Sequence, residues 1–129
     1  MKKIFILLSS LLFTAAVFAA SSKVADISQA ELTAAIASKS AVILDVNGSD
    51  SYREGRIPGA IDYIANKDRI ASLLPADKNA LVVAYCGNEQ CSAYRAAAEA
   101  AVKLGYTNVK HFAPGIAGWK KSGAPTDKG

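Results

Sequence analysis

The stretch Ala80–Leu104 constrains the fold more than any other part of the chain. It begins with the apolar run Leu81–Tyr85, whose length and lack of charge are typical of a strand buried on both faces of a parallel sheet. Cys86 ends this run, and a polar loop with a second cysteine, Cys91, comes next. From Ser92 onward, Ala, Arg, Glu, Lys and Leu predict a helix. The stretch therefore predicts a strand, a polar loop and a helix in succession.

Cys86 is predicted to lie where open α/β sheets bind ligands, at the carboxyl end of a strand and before a helix. The free N–H groups and partial positive charge of a helix N-terminus favour an anion, and a thiolate is one. Such surroundings lower a thiol pKa from ~8.5 to roughly 3.5–7.5. Gly87 and Asn88 tolerate the backbone conformations that aim loop N–H groups inward, although an ordinary tight turn would use them too. We expect Cys86 to carry chemistry rather than to be an inert buried thiol.

The N-terminus, residues 1–19, is typical of a secretory signal peptide. Two lysines precede the apolar run Ile4–Val17, and small residues lie at the two positions that a signal peptidase reads before the cut. The run is shorter than the ~20 residues that span a bilayer, which argues against a retained anchor. We expect cleavage near Ala19 and a periplasmic mature protein with no stable membrane insertion.

The predicted mature chain, residues 20–129, has a length that suits one domain. Of the 15 Lys and Arg, two lie in the signal peptide, so 13 remain against 11 Asp and Glu, a formal net charge of +2. So small a charge gives no argument for nucleic acid or an anionic membrane as a partner. We expect a monomer.

Short apolar runs alternate with helix-forming segments along the mature chain, and Ser28 with Glu31 forms a capping box for the first helix. The predicted strands besides Leu81–Tyr85 are one within Ser21–Ile27, Ala41–Leu44, Ala60–Tyr63 and Val109–Phe112. The predicted helices besides the one from Ser92 are 28–38, Ser51–Glu54, Asp68–Leu74 and Pro114–Lys121. This alternation predicts an α/β fold, an open parallel sheet of about five short strands with helices on both faces.

Three segments together make the chain resemble a single-domain rhodanese of the exported, periplasmic type. Leu44–Val46 followed by Gly55–Ile61 is similar to the family's first signature. Cys86 after an apolar strand resembles its active-site cysteine, and Gly115–Trp119 followed by Gly123–Pro125 resembles its C-terminal signature. The segments span nearly all of the mature chain in the family's order and spacing.

The resemblance implies a rhodanese-like sheet and sulfurtransferase activity. Cys86 would take a sulfane sulfur from a small donor such as thiosulfate, hold it as a persulfide and pass it to a thiophilic acceptor such as cyanide or a thiol. No metal or organic cofactor is implied, and the spacing of the two cysteines and His111 fits no zinc pattern. The residues that would bind the donor are Gly87, Asn88, Glu89, Gln90, Cys91, Ser92 and Arg95.

The loop departs from the family's patterns where an arginine is expected. The thiosulfate-using pattern has an arginine five positions after the cysteine, where this chain has Cys91. Phosphatase and arsenate-reductase relatives have it six positions after the cysteine, where this chain has Ser92. Elsewhere, Arg56 stands where the family usually has His, and Pro114 where it often has Gly. The loop resembles that of an exported subgroup in which Cys-Gly-Asn is followed three positions later by a second cysteine.

Cys91 has three interpretations: the disulfide partner of Cys86, a resolving thiol in redox exchange, or a small residue in place of the arginine. A disulfide across so short a loop contributes only about 2 kcal/mol, so the spacing favours chemistry over a structural crosslink. Two function classes follow. The first is an enzyme that transfers sulfur through Cys86. The alternative is a redox or sulfur-carrier module that uses the Cys86/Cys91 pair with little turnover of free substrate.

Four further side chains have two interpretations each. Arg95 either offsets its unfavourable place near a helix N-terminus by holding an anion or pairs with Glu99. Asp45 either braces the loop or caps a turn. Tyr85 and Tyr94 either line the loop or pack in the core. We expect His111 to be structural, and Trp119 to anchor the last helix in the core.

Overall fold

The computed structural model describes residues 24–129, and the predicted signal peptide lies outside the described residues. Its strands are β1 (Ala25–Asp26), β2 (Ala41–Asp45), β3 (Ile61–Asp62), β4 (Leu81–Tyr85) and β5 (Asn108–His111). Its α-helices are α1 (Gln29–Ala37), α2 (Ser49–Glu54), α3 (Tyr63–Asn66), α4 (Ile70–Leu73), α5 (Tyr94–Lys103) and α6 (Gly115–Lys121). A 3₁₀ turn, Lys67–Arg69, joins α3 to α4. The predicted alternation of strands and helices is confirmed.

The strands form one parallel sheet in the order β1-β5-β4-β2-β3. β4 therefore lies at the centre, between β2 and β5. In its register Tyr85 is opposite Asp45 of β2, and Ala84 is opposite His111 of β5. The carboxyl ends of these three strands meet at one edge of the sheet, which is where parallel sheets place their ligand sites.

Successive side chains of β4 face opposite sides of the sheet, and each side has its own core. Val82, Ala84 and the following Cys86 pack in the core that α3, α4 and α5 cover. Val83 and Tyr85 pack in the core that α1 and α6 cover. Because both faces are buried, β4 is apolar throughout, as the sequence predicted.

Some element boundaries differ from the prediction. The predicted strand Ala60–Tyr63 is reduced to Ile61–Asp62 because the Asp62 carboxylate accepts the N–H of Ala65 at 3.1 Å and begins α3. Helix α5 begins at Tyr94 rather than at Ser92. The carbonyl of Ser92 accepts the N–H three residues on, at 3.1 Å, so the chain enters α5 through a 3₁₀-type turn.

Trp119 holds α6 against the sheet. It is buried, its ring lies edge-on to Phe112 with centroids 5.9 Å apart, and its Nε1–H donates to the carbonyl of Pro125 at 2.7 Å. These contacts confirm Trp119 as a core anchor. The N-terminus of α6 lies beside the end of β4, where the N–H of Ile116 donates to the carbonyl of Cys86.

Candidate active site at the Cys86 loop

Cys86 lies directly after β4 and is 0% exposed, so it is covered by the segment that follows it, the Cys86 loop (Cys86–Ala93). It forms a disulfide with Cys91, and the two Cα atoms are 6.0 Å apart. Of the three interpretations of Cys91, the disulfide partner is the one observed. Neither cysteine is a free thiol in this state.

The first residue of α5 contacts the sulfur of Cys86. The main-chain N–H of Tyr94 donates to Cys86 Sγ at 3.1 Å. This N–H is one of those at a helix N-terminus that have no carbonyl partner within the helix. A thiolate at Cys86 would accept the same hydrogen bond more strongly, because charge-assisted hydrogen bonds are the stronger ones. The predicted placement of Cys86 at a strand end and a helix N-terminus is confirmed.

Asn88 shapes the loop between the two cysteines. Its side-chain Oδ1 accepts the N–H of Gln90 at 3.0 Å, and its carbonyl accepts the N–H of Cys91 at 3.3 Å. The side chains of Asn88, Glu89 and Gln90 are exposed. In the disulfide-bonded state the loop therefore satisfies two of its own N–H groups and presents polar side chains to solvent.

The loop contains one formally charged side chain, that of Glu89. Ser92 and Arg95, which were predicted to bind a donor, are both exposed beyond the second cysteine. Within residues 24–129 the salt bridges of the structure include none between Arg95 and Glu99, so the predicted surface pair is not observed. The loop itself has no cation that could hold a dianionic donor.

The N-terminus of α6 supports the Cys86 loop from the other side. Ile116 N–H donates to the carbonyl of Cys86 at 3.0 Å, and Ala117 N–H donates to the carbonyl of Gly87 at 2.9 Å. Gly115 has a φ of 64°, and a Cβ there would lie 2.6 Å from the carbonyl oxygen of Cys86. The backbones meet so closely that only glycine fits.

A buried pair, Asp45 and Tyr85, braces the segment after β2. The Tyr85 hydroxyl donates to Asp45 Oδ2 at 2.5 Å and accepts the N–H of Ile57 at 3.1 Å, while Asp45 Oδ1 accepts the N–H of Asn47 at 2.8 Å. Burial raises the pKa of Asp45, although its hydrogen bonds from Tyr85 and Asn47 act in the opposite direction. Burial and the adjacent carboxylate also raise the pKa of Tyr85. Asp45 is therefore a turn cap, and Tyr85 packs in the core.

The turn that Asp45 caps brings Asn47 to the Cys86 loop. Asn47 Oδ1 lies 3.5 Å from where a Cβ of Gly87 would be. Its amide Nδ2 is buried and has no hydrogen-bond partner among residues 24–129. Asn47 therefore packs beside the loop with its amide oxygen near Gly87.

His111 supports the first residue of α5. Its ring stacks on that of Tyr94, with centroids 3.4 Å apart and planes 7° from parallel, and its Nδ1 lies 3.4 Å from Asp26 Oδ1. Burial lowers the pKa of His111; Asp26 opposes this effect and Arg95 adds to it. The contacts agree with the structural role predicted for His111. The described part of the chain has no group of three or more His, Cys, Asp or Glu that could hold a metal ion.

Two contributors to the site were not predicted from the sequence, the amide of Asn47 and the close approach of Gly115, and the predicted N–H at the start of the helix is that of Tyr94. The place of Asn47 depends on how its loop folds back on the sheet, and local sequence carries no signal for that. Gly115 had a signal, because a glycine directly after Pro114 opens a predicted helix where a side chain would otherwise be expected.

Comparison with known proteins gives a consistent picture. A family model described as Rhodanese-like domain matches residues 28–122. The Escherichia coli K12 protein YibN, described as uncharacterized, is 28% identical over 111 residues, which cover 84% of this chain and 76% of YibN. A thiosulfate sulfurtransferase of Pseudomonas aeruginosa is 26% identical, with a TM-score of 0.63 over 82% of this chain and 20% of that one. A structure described as a rhodanese with anions, from Escherichia coli, is 31% identical, with a TM-score of 0.52 over 69% of this chain and 99% of that one.

Proposed function

Because the chain belongs to the rhodanese-like family, we propose that it is a periplasmic sulfurtransferase that carries sulfane sulfur as a persulfide on Cys86. The observation that carries the proposal is the hydrogen bond from Tyr94 N–H to Cys86 Sγ at the carboxyl end of the central strand. The same N–H that contacts the disulfide sulfur would stabilise a thiolate there and make it available as a nucleophile at neutral pH.

The proposed reaction has two displacements. The Cys86 thiolate attacks the sulfane sulfur of the donor, and the rest of the donor, sulfite in the case of thiosulfate, leaves with the electron pair. An acceptor nucleophile, cyanide or a thiolate, then attacks the outer sulfur of the persulfide, and Cys86 leaves as a thiolate. Tyr94 N–H faces the sulfur that carries the negative charge before the first step and after the second.

Thiosulfate as the donor is the finer part of the proposal. The likeness to the Pseudomonas aeruginosa thiosulfate sulfurtransferase supports it. The Cys86 loop, however, offers no arginine or lysine to a dianion, and its charged side chain is Glu89. We therefore expect thiosulfate turnover to be slow.

In this proposal the disulfide-bonded protein is an oxidised, inactive form of the sulfurtransferase. A Cys86 bonded to Cys91 has no thiolate with which to attack a donor. Activity toward thiosulfate then requires prior reduction. The second candidate function, a redox or sulfur-carrier module with little turnover of free substrate, is favoured by the same disulfide, because two cysteines bonded across a helix N-terminus can also exchange electrons with a partner thiol.

The two functions differ in loading and turnover with thiosulfate and cyanide. Reduced wild type and the Cys91→Ser variant should gain one sulfur by intact mass and form thiocyanate, whereas Cys86→Ser should do neither while keeping its fold by circular dichroism. The Cys91→Ser variant should need no reductant. If it loads normally but releases sulfur slowly, Cys91 resolves the persulfide. Retention of most activity by Cys86→Ser would refute the proposal, and loading without turnover in all active forms would favour the carrier module.

The periplasmic location rests on the pattern of residues 1–19. Within residues 24–129 no helix combines the length and apolar character needed to cross a membrane. N-terminal sequencing of the protein from a periplasmic extract should start near Ala20. Protein that still begins at Met1 would contradict export through this segment.

A further inference from the structure

We propose that the disulfide-bonded protein takes sulfur directly from hydrogen sulfide, with Cys91 Sγ as the atom that sulfide attacks. The reaction is an activity of the oxidised protein, which does not react with thiosulfate. It rests on the proposed function in its last step, the transfer of sulfur from Cys86 to an acceptor.

Only one of the two bonded cysteines is open to solvent. Cys86 is 0% exposed, because its side chain packs in the core that α5 covers and its backbone lies against α6. Cys91 is half-buried: it packs against the core on the α5 side of the sheet, and it lies between the exposed Gln90 and Ser92. A nucleophile from solution therefore reaches the disulfide at Cys91, and the reaction has a defined direction.

The leaving group is also defined. Attack on Cys91 Sγ expels Cys86 as a thiolate, and this sulfur accepts the N–H of Tyr94 at the start of α5. Among residues 24–129, this is the one hydrogen bond made to either sulfur. Thiol–disulfide exchange is faster when the departing thiol has the lower pKa. Accessibility at Cys91 and stabilisation at Cys86 thus favour the same displacement.

The charge of the loop disfavours a dianionic donor more than it disfavours hydrosulfide. Hydrosulfide is a small monoanion and needs no guanidinium to hold it, unlike a dianionic donor. The Cys86 loop has no arginine or lysine, and Glu89 adds a negative charge near the entrance. A loop that is poor for thiosulfate is therefore adequate for sulfide, whose neutral form is not repelled by Glu89.

The step balances without a further reactant. Hydrosulfide forms a bond to Cys91 Sγ, the Cys86–Cys91 bond breaks, and its electron pair stays on Cys86. Sulfide is oxidised to the sulfane level as a persulfide on Cys91, and the disulfide is reduced. The Cys86 thiolate then attacks the outer sulfur and Cys91 leaves as a thiolate, which places the persulfide on Cys86.

The last step gives the sulfur to a thiol or cyanide and leaves both cysteines reduced. A second round needs a protein disulfide that reoxidises the pair, so sulfide alone supports one turnover. Run in reverse, Cys91 takes the outer sulfur from a Cys86 persulfide, and the freed Cys86 thiolate then attacks the inner sulfur of the Cys91 persulfide, which releases sulfide and restores the disulfide. The resolving role considered for Cys91 is therefore the reverse of the same exchange.

The test uses the mature protein with its disulfide intact and no reductant. Treated with an equimolar amount of sodium sulfide, it should gain the mass of one hydrogen sulfide molecule. After alkylation it should carry one alkylated persulfide and one alkylated thiol, and added cyanide should release one thiocyanate per disulfide. Fragmentation of the tryptic peptide 79–95 after the shortest quench should place the first persulfide on Cys91. Prereduced wild type and Cys91→Ser, which have no disulfide, should gain no sulfur from sulfide.

The outcomes separate this inference from the proposed function. An unchanged disulfide, or a dithiol that yields no thiocyanate, would overturn the inference, as would a first persulfide on Cys86. If any of these outcomes is found while Cys91→Ser still loads sulfur from thiosulfate, the inference about sulfide fails and the proposed function is retained. If sulfide loads the oxidised protein while thiosulfate loads no reduced form, the inference stands and the thiosulfate assignment fails.

Discussion

The α-carbon of Gly115 faces the carbonyl oxygen of Cys86 so closely that a Cβ would lie 2.6 Å from it. The two following residues, Ile116 and Ala117, donate their N–H groups to the carbonyls of Cys86 and Gly87. The backbone of the candidate nucleophile is thus held by the first turn of α6. Its sulfur is held by the first residue of α5, on the opposite side of the loop.

Gly115→Ala should destabilise the protein and lower sulfur transfer. The matched control is Gly123→Ala, because Gly123 also has a positive φ, 80°, but open space around it. Both variants should lose about 1–2 kcal/mol from the left-handed backbone. Gly115→Ala should lose more, because Cys86 and Gly87 must move. Denaturant unfolding and thiocyanate formation would measure both effects, and equal losses in the two variants would argue against the close approach.

Tyr85→Phe should cost about 1–3 kcal/mol of unfolding free energy, because it leaves the buried Asp45 carboxylate and the Ile57 N–H without their partner. Tyr52→Phe is the control, since it removes a hydroxyl that donates to the carbonyl of Ala60 in a less buried place. Urea unfolding at neutral pH should show the larger loss for Tyr85→Phe.

The same variant should change the pH dependence of stability. The pKa of Asp45 is raised above 3.8 in the folded protein, so its contribution to stability is lost as pH rises from 3.8 through the folded value. Loss of the Tyr85 hydrogen bond raises that pKa further, and the loss of stability should extend to higher pH. A variant with an unchanged pH profile would show that Asp45 keeps its environment without Tyr85.

His111 should make stability fall in mild acid. Its pKa in the folded protein is below the ordinary 6.5, so the unfolded chain binds the proton first, and stability decreases as pH falls from 6.5 toward the folded value. The charged groups that act on it are Asp26 and Arg95. His111→Phe, which can still stack on Tyr94, should flatten the profile in this window. His111 is the one histidine of the chain. If stability changes with pH equally steeply in wild type and variant, a group other than histidine is titrating.

Reduction of the Cys86–Cys91 disulfide should leave the protein folded. The bond closes a loop between residues five positions apart, which in the chain-entropy model contributes only about 2 kcal/mol. Cys86 belongs to one of the two buried cores and Cys91 packs against it, but the other members of both cores make their contacts without the disulfide. In thermal unfolding, dithiothreitol should lower the melting temperature of the wild type modestly. Cys91→Ser, the matched control, should melt lower than the oxidised wild type by an equal amount. Unfolding on reduction would make the disulfide a structural crosslink.

The sequence alone determined the fold class and the position of the candidate nucleophile. The apolar run Leu81–Tyr85 predicted the central strand, and its boundaries match β4 residue for residue. A strand buried on both faces has a strong local signal, because every side chain must be apolar. The capping residue Ser28 also acts locally and accepts the N–H of Glu31 at 3.1 Å, as predicted.

The tertiary structure decided which groups surround Cys86. Three interpretations of Cys91 were open in the sequence, because spacing permits a disulfide but only the folded loop brings the two Cα atoms to 6.0 Å. The contacts of Tyr94, Asn47 and Gly115 come from separate segments that follow or precede different elements, and they meet only because β2, β4 and β5 end at the same edge. Contacts between residues that are distant in the chain leave no periodic or local signal in the sequence. These contacts could therefore be identified only once the order and register of the strands were known.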